Sequence, residues 1–168
     1  MKLKLTCILF VSFCFHSCSK QELTPLNFEQ VSNSQNEVFL VSTAVHSDQE
    51  AALFEIINEY RTSIGLDELT FEGASYYYAV KHSNYMIKEG LTSHDNFAER
   101  AEQIAMNTGA TNVSENVAKD YDTIEEAFEA WLESEGHRIN IEGDYTYSAI
   151  SIRKNETGDL YFTQLFSR

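Results

Sequence analysis

The hydrophobic period of this chain changes once, near residue 140, and that change limits the folds open to it. Ahead of it, apolar residues recur at helical spacing. In "DTIEEAFEAWLESEG", Ile124, Ala127, Phe128, Trp131 and Leu132 stand at i, i+3, i+4, i+7 and i+8, which buries one face of a helix. Behind it, "YTYSAISIRK" and "LYFTQLF" alternate apolar with polar, joined by "NETGD", which reads as a Gly-containing hairpin loop. Helices first and a terminal hairpin last predict an α+β or sandwiched fold and exclude a run of βαβ units.

Three more helices precede that one. "HSDQEAALFEIINEYRTSIGL" carries Ala52, Leu53, Ile56, Ile57, Tyr60 and Ile64 at a 3.6 period. Ser47 and Glu50 have capping-box spacing at its start, and Gly65 stops it. A short connection, "LDELTF", leads to "GASYYYAVKHSNYMIKEG", whose apolar face takes Ala74, Tyr77, Tyr78, Tyr85 and Met86 and which Gly90 ends. A third helix, weaker in pattern, covers Phe97 to Met106. In the fourth, Asp122 and Glu125 have capping-box spacing, and Gly136 suits a left-handed C-cap position.

The first residues are of another kind. Lys2 and Lys4 give a positive start, and "LTCILFVSFCF" is an apolar run too short to span a bilayer comfortably. It closes at "FHSC", a small residue directly before a cysteine. Residues 1–17 are therefore predicted to be a signal peptide of the lipoprotein type, with Cys18 the lipidated new N-terminus. Plain secretory cleavage is the alternative. Residues 18–46, rich in Ser, Asn, Gln and Glu, read as a flexible tether in which "EVFLVSTAV" fits either a strand or a linker segment. That leaves 47–168 as one domain, as suits a chain of 168 residues.

Cys7, Cys14 and Cys18 are the only cysteines, so the domain itself has no thiol and no disulfide, thiolate metal site or cysteine nucleophile. Lys and Arg number 12 against 26 Asp and Glu, a formal charge of −14, and losing Lys2 and Lys4 with the leader makes it −16. Such a chain repels phosphate backbones and anionic membrane surfaces, which excludes nucleic acid and restricts membrane contact to the lipid anchor.

Four histidines follow the leader. His46 falls in the tether and reads as solvated; His82 lies within the second helix and reads as a hydrogen-bonded structural residue. His94, in "LTSHDNF", and His137, in "SEGHRINI", both stand at helix exits, where side chains can line a cleft. Between them, in "VSENVA", Glu115 sits amid apolar residues and is either exposed on a turn or buried and paired. Two imidazoles and a carboxylate suit a zinc-like ion, an acid/base cluster, or a hydrogen-bonded pair that only buttresses a loop. Their spacing alone does not choose. No H-E-x-x-H or G-x-S-x-G occurs, and Ser93 beside His94 is not thereby a nucleophile–base pair.

Five segments occur in an order that resembles the CAP (SCP-like) superfamily of cysteine-rich secretory proteins, antigen 5 and pathogenesis-related proteins. They are "INEYR…L" at 57–66, "SH…F..R" at 93–100, "SENVA" at 114–118, "AFEAWLESEGHRINI" at 127–141 and "YFTQLF" at 161–166. The likeness covers about residues 50–168 and is greatest to the bacterial extracellular branch. It implies a three-layer α-β-α sandwich with a central antiparallel sheet, and a cleft lined by two histidines and acidic residues. In some members that cleft holds a divalent metal. By position, His94, Glu115 and His137 are the implied metal set, with one open position, and Glu115 is the candidate catalytic group. The family's second acidic position is here Ser134, flanked by Glu133 and Glu135, and Ser114 replaces the usual glycine.

The leader and the resemblance together predict an exported, envelope-tethered monomer, or alternatively a secreted one, that serves as a binding module. The expected ligand is a small hydrophobic molecule, a glycan, a peptide or a protein partner. One divalent, zinc-like metal is the only cofactor the resemblance allows for. The alternative is a metal-assisted hydrolase using the same cleft.

Overall fold

A computed structural model describes residues 45–168. The predicted signal peptide, Cys18, the segment 37–44 and nearly all of the tether lie outside the described residues. Among the described residues no helix is long and apolar enough to cross a membrane.

The chain runs α1 (Asp48–Ser63), β1 (Thr70–Phe71), α2 (Gly73–Glu89), α3 (Phe97–Thr108), β2 (Val113–Lys119), α4 (Ile124–Glu133), α5 (Glu135–Ile141), β3 (Tyr147–Lys154) and β4 (Leu160–Ser167). The sheet order is β1-β3-β4-β2. Both long pairings of β4, with β3 and with β2, are antiparallel as expected, but the two residues of β1 pair parallel to β3, so the sheet is mixed.

The alternation of the terminal hairpin sorts its side chains onto two faces. Phe162 and Phe166 of β4 join Ile150 and Ile152 of β3, Leu53 and Ile57 of α1, and Trp131 of α4 in the main core. Tyr161 and Leu165, one residue out of phase, pack instead with Met86, Tyr78, Ala79 and Ile104 beneath α2 and α3. Two helical layers thus enclose one sheet. Strand β4 is central and buried along its whole length, so its polar members must find partners. Thr163 accepts a hydrogen bond from Ser83 at 2.9 Å, and Gln164 donates one to Ser148 at 3.2 Å.

Several helix boundaries follow the expected chemistry. The Ser47–Glu50 capping box forms, with Ser47 N donating to the Glu50 carboxylate at 2.8 Å. The box of α4, however, is made by Thr123 and Glu126, one residue later than the Asp122–Glu125 pair read from spacing. Gly136 is not a left-handed cap. Ser134 breaks the helix after Glu133, and Gly136 and His137 both lie inside the following short helix α5. Of the two isoleucines there, Ile141 anchors the turn in the core while Ile139 is 59% exposed.

His46 corrects the tether reading. It is not solvated: its ring packs against Phe54, Phe71 and Tyr76, with centroids 5.1, 4.6 and 5.5 Å away. Its Nε2 accepts the backbone N–H of Ile150 at 2.8 Å, and Glu50 accepts that of Ile152 at 2.8 Å. Beyond the two residues of β1, the outer edge of β3 is thus closed by side chains.

Candidate functional site

Strand β2 supplies the centre. Its neighbours Glu115 and Asn116 point to opposite faces of the sheet, as successive strand residues must. Glu115 faces α2 and α3, and its side chain is 1% exposed. A buried carboxylate needs a partner, and it has three. Arg100 forks onto it, Nε donating to Oε2 at 2.8 Å and Nη2 to Oε1 at 2.8 Å. His94 Nδ1 meets Oε1 at 2.9 Å, and His82 Nε2 stands 3.7 Å from the same oxygen.

Each partner is itself positioned. Arg100 lies in the first turn of α3 and donates a further bond from Nη1 to the Asp95 carbonyl at 2.8 Å. Helix α2 ends at Gly90, whose φ of 73° turns the chain out of the helix toward His94. His82, on α2, holds that loop by donating from Nε2 to the Ser93 carbonyl at 2.7 Å. His82 is therefore structural, as its place in the helix suggested.

Asn116 serves the other face. Its amide donates to the His137 carbonyl at 3.1 Å, and Asn140 donates to both Asn116 Oδ1, at 2.8 Å, and the Glu115 carbonyl, at 3.2 Å. This ties α5, and His137 with it, to β2. Arg61 holds α5 from the far end. Only 2% exposed, it donates to the carbonyls of Ile141 and Gly143 at 2.6 and 2.9 Å and to that of Asp67 at 3.0 Å.

The three imidazoles are electrostatically distinct. The hydrogen bond to Glu115, reinforced by its charge, raises the pKa of His94 despite partial burial. Burial lowers that of His137, and the nearby His94 lowers it further. Burial also lowers that of His82, against the attraction of Glu115. Near neutral pH the cleft holds a histidine that favours its cation close to one that favours the neutral form. His137 Nδ1 is buried with no hydrogen-bond partner among the described residues.

The cleft beside His137 is a cavity of about 350 Å³, walled by Val117, Tyr121, Trp131, Lys119, Thr92 and Ser134. Ser93 is not a nucleophile set against an imidazole: its Oγ accepts the Asp95 N–H at 3.3 Å, while His94 Nδ1 is engaged with Glu115. Glu133 and Glu135 make no contact with His94, Glu115 or His137 among the described residues.

The donor set bears on the metal expectation. Both oxygens of Glu115 are taken by a guanidinium, which competes directly with any cation for that carboxylate. Among the described residues no group of three or more His, Cys, Asp or Glu is disposed to hold a metal ion. The chain's own geometry uses Glu115 to orient and charge His94.

Of the residues singled out by sequence, His94 and Glu115 meet directly, and His137 joins them through Asn116 and Asn140. The role of Arg100 was missed, although it belongs to the "SH…F..R" segment. The signal was present: Phe97, Arg100 and Ile104 share one helical stripe, and an arginine on an otherwise apolar stripe calls for a buried acid.

The architecture is shared with solved structures at low identity. An outer surface protein from Borrelia burgdorferi superposes with a TM-score of 0.66 at 17% identity, over 74% of this chain and 96% of that one. An extracellular SCP-domain protein from Bacillus anthracis gives 0.63 at 24% identity, over 71% of this chain but only 40% of its own. Schistosoma mansoni venom allergen-like protein 4 gives 0.56 at 14% identity, over 73% of this chain and 91% of that one. No curated protein matches the chain. The family model for CAP, the cysteine-rich secretory protein family, matches residues 54–166. With that match across both helical layers and all the cleft residues, the chain belongs to the CAP family.

Proposed function

We propose that this protein is an exported, envelope-tethered CAP domain that works as a binding module, taking a small hydrophobic ligand with a polar end into the cleft beside His137. The state of Glu115 carries this reading. A carboxylate gripped by Arg100 and bonded to His94 is no free base, and among the described residues no hydroxyl in the cleft is paired with an imidazole. What remains is a recess whose apolar side is Val117, Tyr121 and Trp131 and whose polar side is His137, Thr92 and Ser134. Export and the lipid anchor rest on the leader sequence and Cys18, and on the resemblance to the family's bacterial extracellular branch. The commitment of Glu115 to Arg100 weighs against the expected metal set of His94, Glu115 and His137.

Thermal-shift titration with decanoic acid, alongside zinc chloride, tests the reading. A saturable rise in Tm with decanoic acid, lost in the His94→Ala, His137→Ala double variant, is expected. Ester or peptide turnover that vanishes in Glu115→Ala would replace it with the hydrolase.

A further inference from the structure

Helices α2 and α3 do not close completely on one another. Between them lies a second cavity of about 350 Å³, which shares no lining residue with the one beside His137. One wall is a single stripe of α2, Tyr78, Lys81, His82 and Tyr85, at i, i+3, i+4 and i+7. The other has the same spacing at the start of α3: Asn96, Glu99, Arg100 and Gln103.

The charges lining this cavity are balanced. His82 and Arg100 are 2% and 8% exposed, and their polar atoms are engaged with Ser93, Asp95 and Glu115. The cation of Arg100 is matched by Glu115. The exposed rim carries one charge of each sign, Lys81 and Glu99. Nothing here selects a strong anion or a strong cation.

What the walls do offer is one half-buried tyrosine and two amide side chains. Tyr85 lies nearly parallel to His82, with centroids 5.8 Å apart and planes at 14°, whereas Tyr78 is 9% exposed with Lys81 Nζ over its ring. Asn96 is the N-cap of α3, yet its side chain makes no capping hydrogen bond. Capping by asparagine is worth about 1 kcal/mol, and it is forgone here with the backbone held at φ 59°. Asn96 lines the cavity, together with Gln103, whose Oε1 accepts from the Tyr78 hydroxyl at 3.5 Å.

We propose that this cavity is a saccharide subsite, taking one ring of a neutral hexose or N-acetylhexosamine. A pyranose presents an apolar C–H face to an aromatic ring, and hydroxyls that donate and accept at once. Tyr85 and two carboxamides, without net charge, answer both needs. The cavity adjoins the Glu115 cluster but shares no lining residue with the recess beside His137, so its failure leaves the reading of that recess untouched.

Titration of the ¹⁵N-labelled purified protein tests it, using N-acetylglucosamine, its β-1,4 dimer, glucose and cellobiose, with sulfate and glycine as charged comparisons. At least one saccharide is expected to give saturable shifts at the Asn96 and Gln103 side-chain amides, with a midpoint near or below about 1 mM. Asn96→Gly keeps the positive φ without strain and removes only the amide; Tyr85→Leu removes the aromatic face. Each is expected to weaken binding about tenfold or more with the native spectrum retained, and Asn96→Gly decides if the other does not fold. No saturable saccharide response, binding unchanged in Asn96→Gly, or tighter saturation by sulfate or glycine would each overturn the proposal.

Discussion

Arg100 grips Glu115 through two donors, Nε and Nη2, each 2.8 Å from a different carboxylate oxygen, across an interface from which solvent is excluded. Removing Glu115 leaves the guanidinium buried without its counter-charge, and removing Arg100 leaves the carboxylate buried with only imidazoles beside it. Arg100→Leu is expected to destabilise the domain by about 3–5 kcal/mol, and Arg100→Lys to rescue it poorly because an ammonium cannot fork. Arg100→Leu with Glu115→Leu is expected to recover most of the loss. Urea unfolding of all three variants checks this; single variants within about 1 kcal/mol of wild type would remove the clamp from the account.

The same carboxylate sets the titration of His94. NMR titration of the imidazole is expected to give a pKa above 6.5 in the wild type and a lower one in Glu115→Gln. Because the folded value is raised, the stabilisation from charged His94 is complete below pH 6.5 and is lost as pH rises through the folded pKa. An unchanged His94 pKa in Glu115→Gln would show that the bond does not set it.

His46 titrates in the opposite sense. Burial among Phe54, Phe71 and Tyr76 pushes its pKa down to about 4 against the pull of Glu50. Between pH 6.5 and 4 the unfolded chain takes a proton that the folded one refuses, so stability falls as pH falls. Allowing for solvent at a partly open site, the loss is on the order of 2 kcal/mol. His46→Gln retains an acceptor for Ile150 N without the titration. Denaturation at about pH 7 and about pH 4.5, either side of the unfolded imidazole pKa, is expected to show a smaller loss for the variant, and equal losses would contradict the assignment.

The start of α4 gives a local test. Thr123→Ala removes the side chain that accepts the Glu126 N–H at 3.2 Å and is expected to cost about 1 kcal/mol. Asp122→Ala removes only a charge near the helix N-terminus and is expected to cost about 0.5 kcal/mol or less. Chemical denaturation distinguishes the two, and the reverse order would restore Asp122 as the cap.

The helices and the terminal hairpin were legible because their apolar residues keep a period. Strand β2 was not, because Ser114, Glu115 and Asn116 interrupt any alternation: both its faces are occupied, and Glu115 and Asn116 are satisfied by distant partners, Arg100 and Asn140. The candidate site was legible in part for the same reason. Family resemblance located His94, Glu115 and His137, but pairing across 15 residues to Arg100, or the closing of a sheet edge by His46, leaves no local pattern. Gly136 was misread because a glycine at the end of a helical pattern looks alike whether it caps that helix or opens the next.

The sheet order gives the closure by His46 and Glu50 a directional meaning. The chain enters the fold at the β1–β3 side, whereas Glu115, Asn116 and the imidazoles gather on β2 at the other margin. The described chain therefore begins at one margin of the sheet and carries the Glu115 cluster at the other, with the full width of the sheet between them.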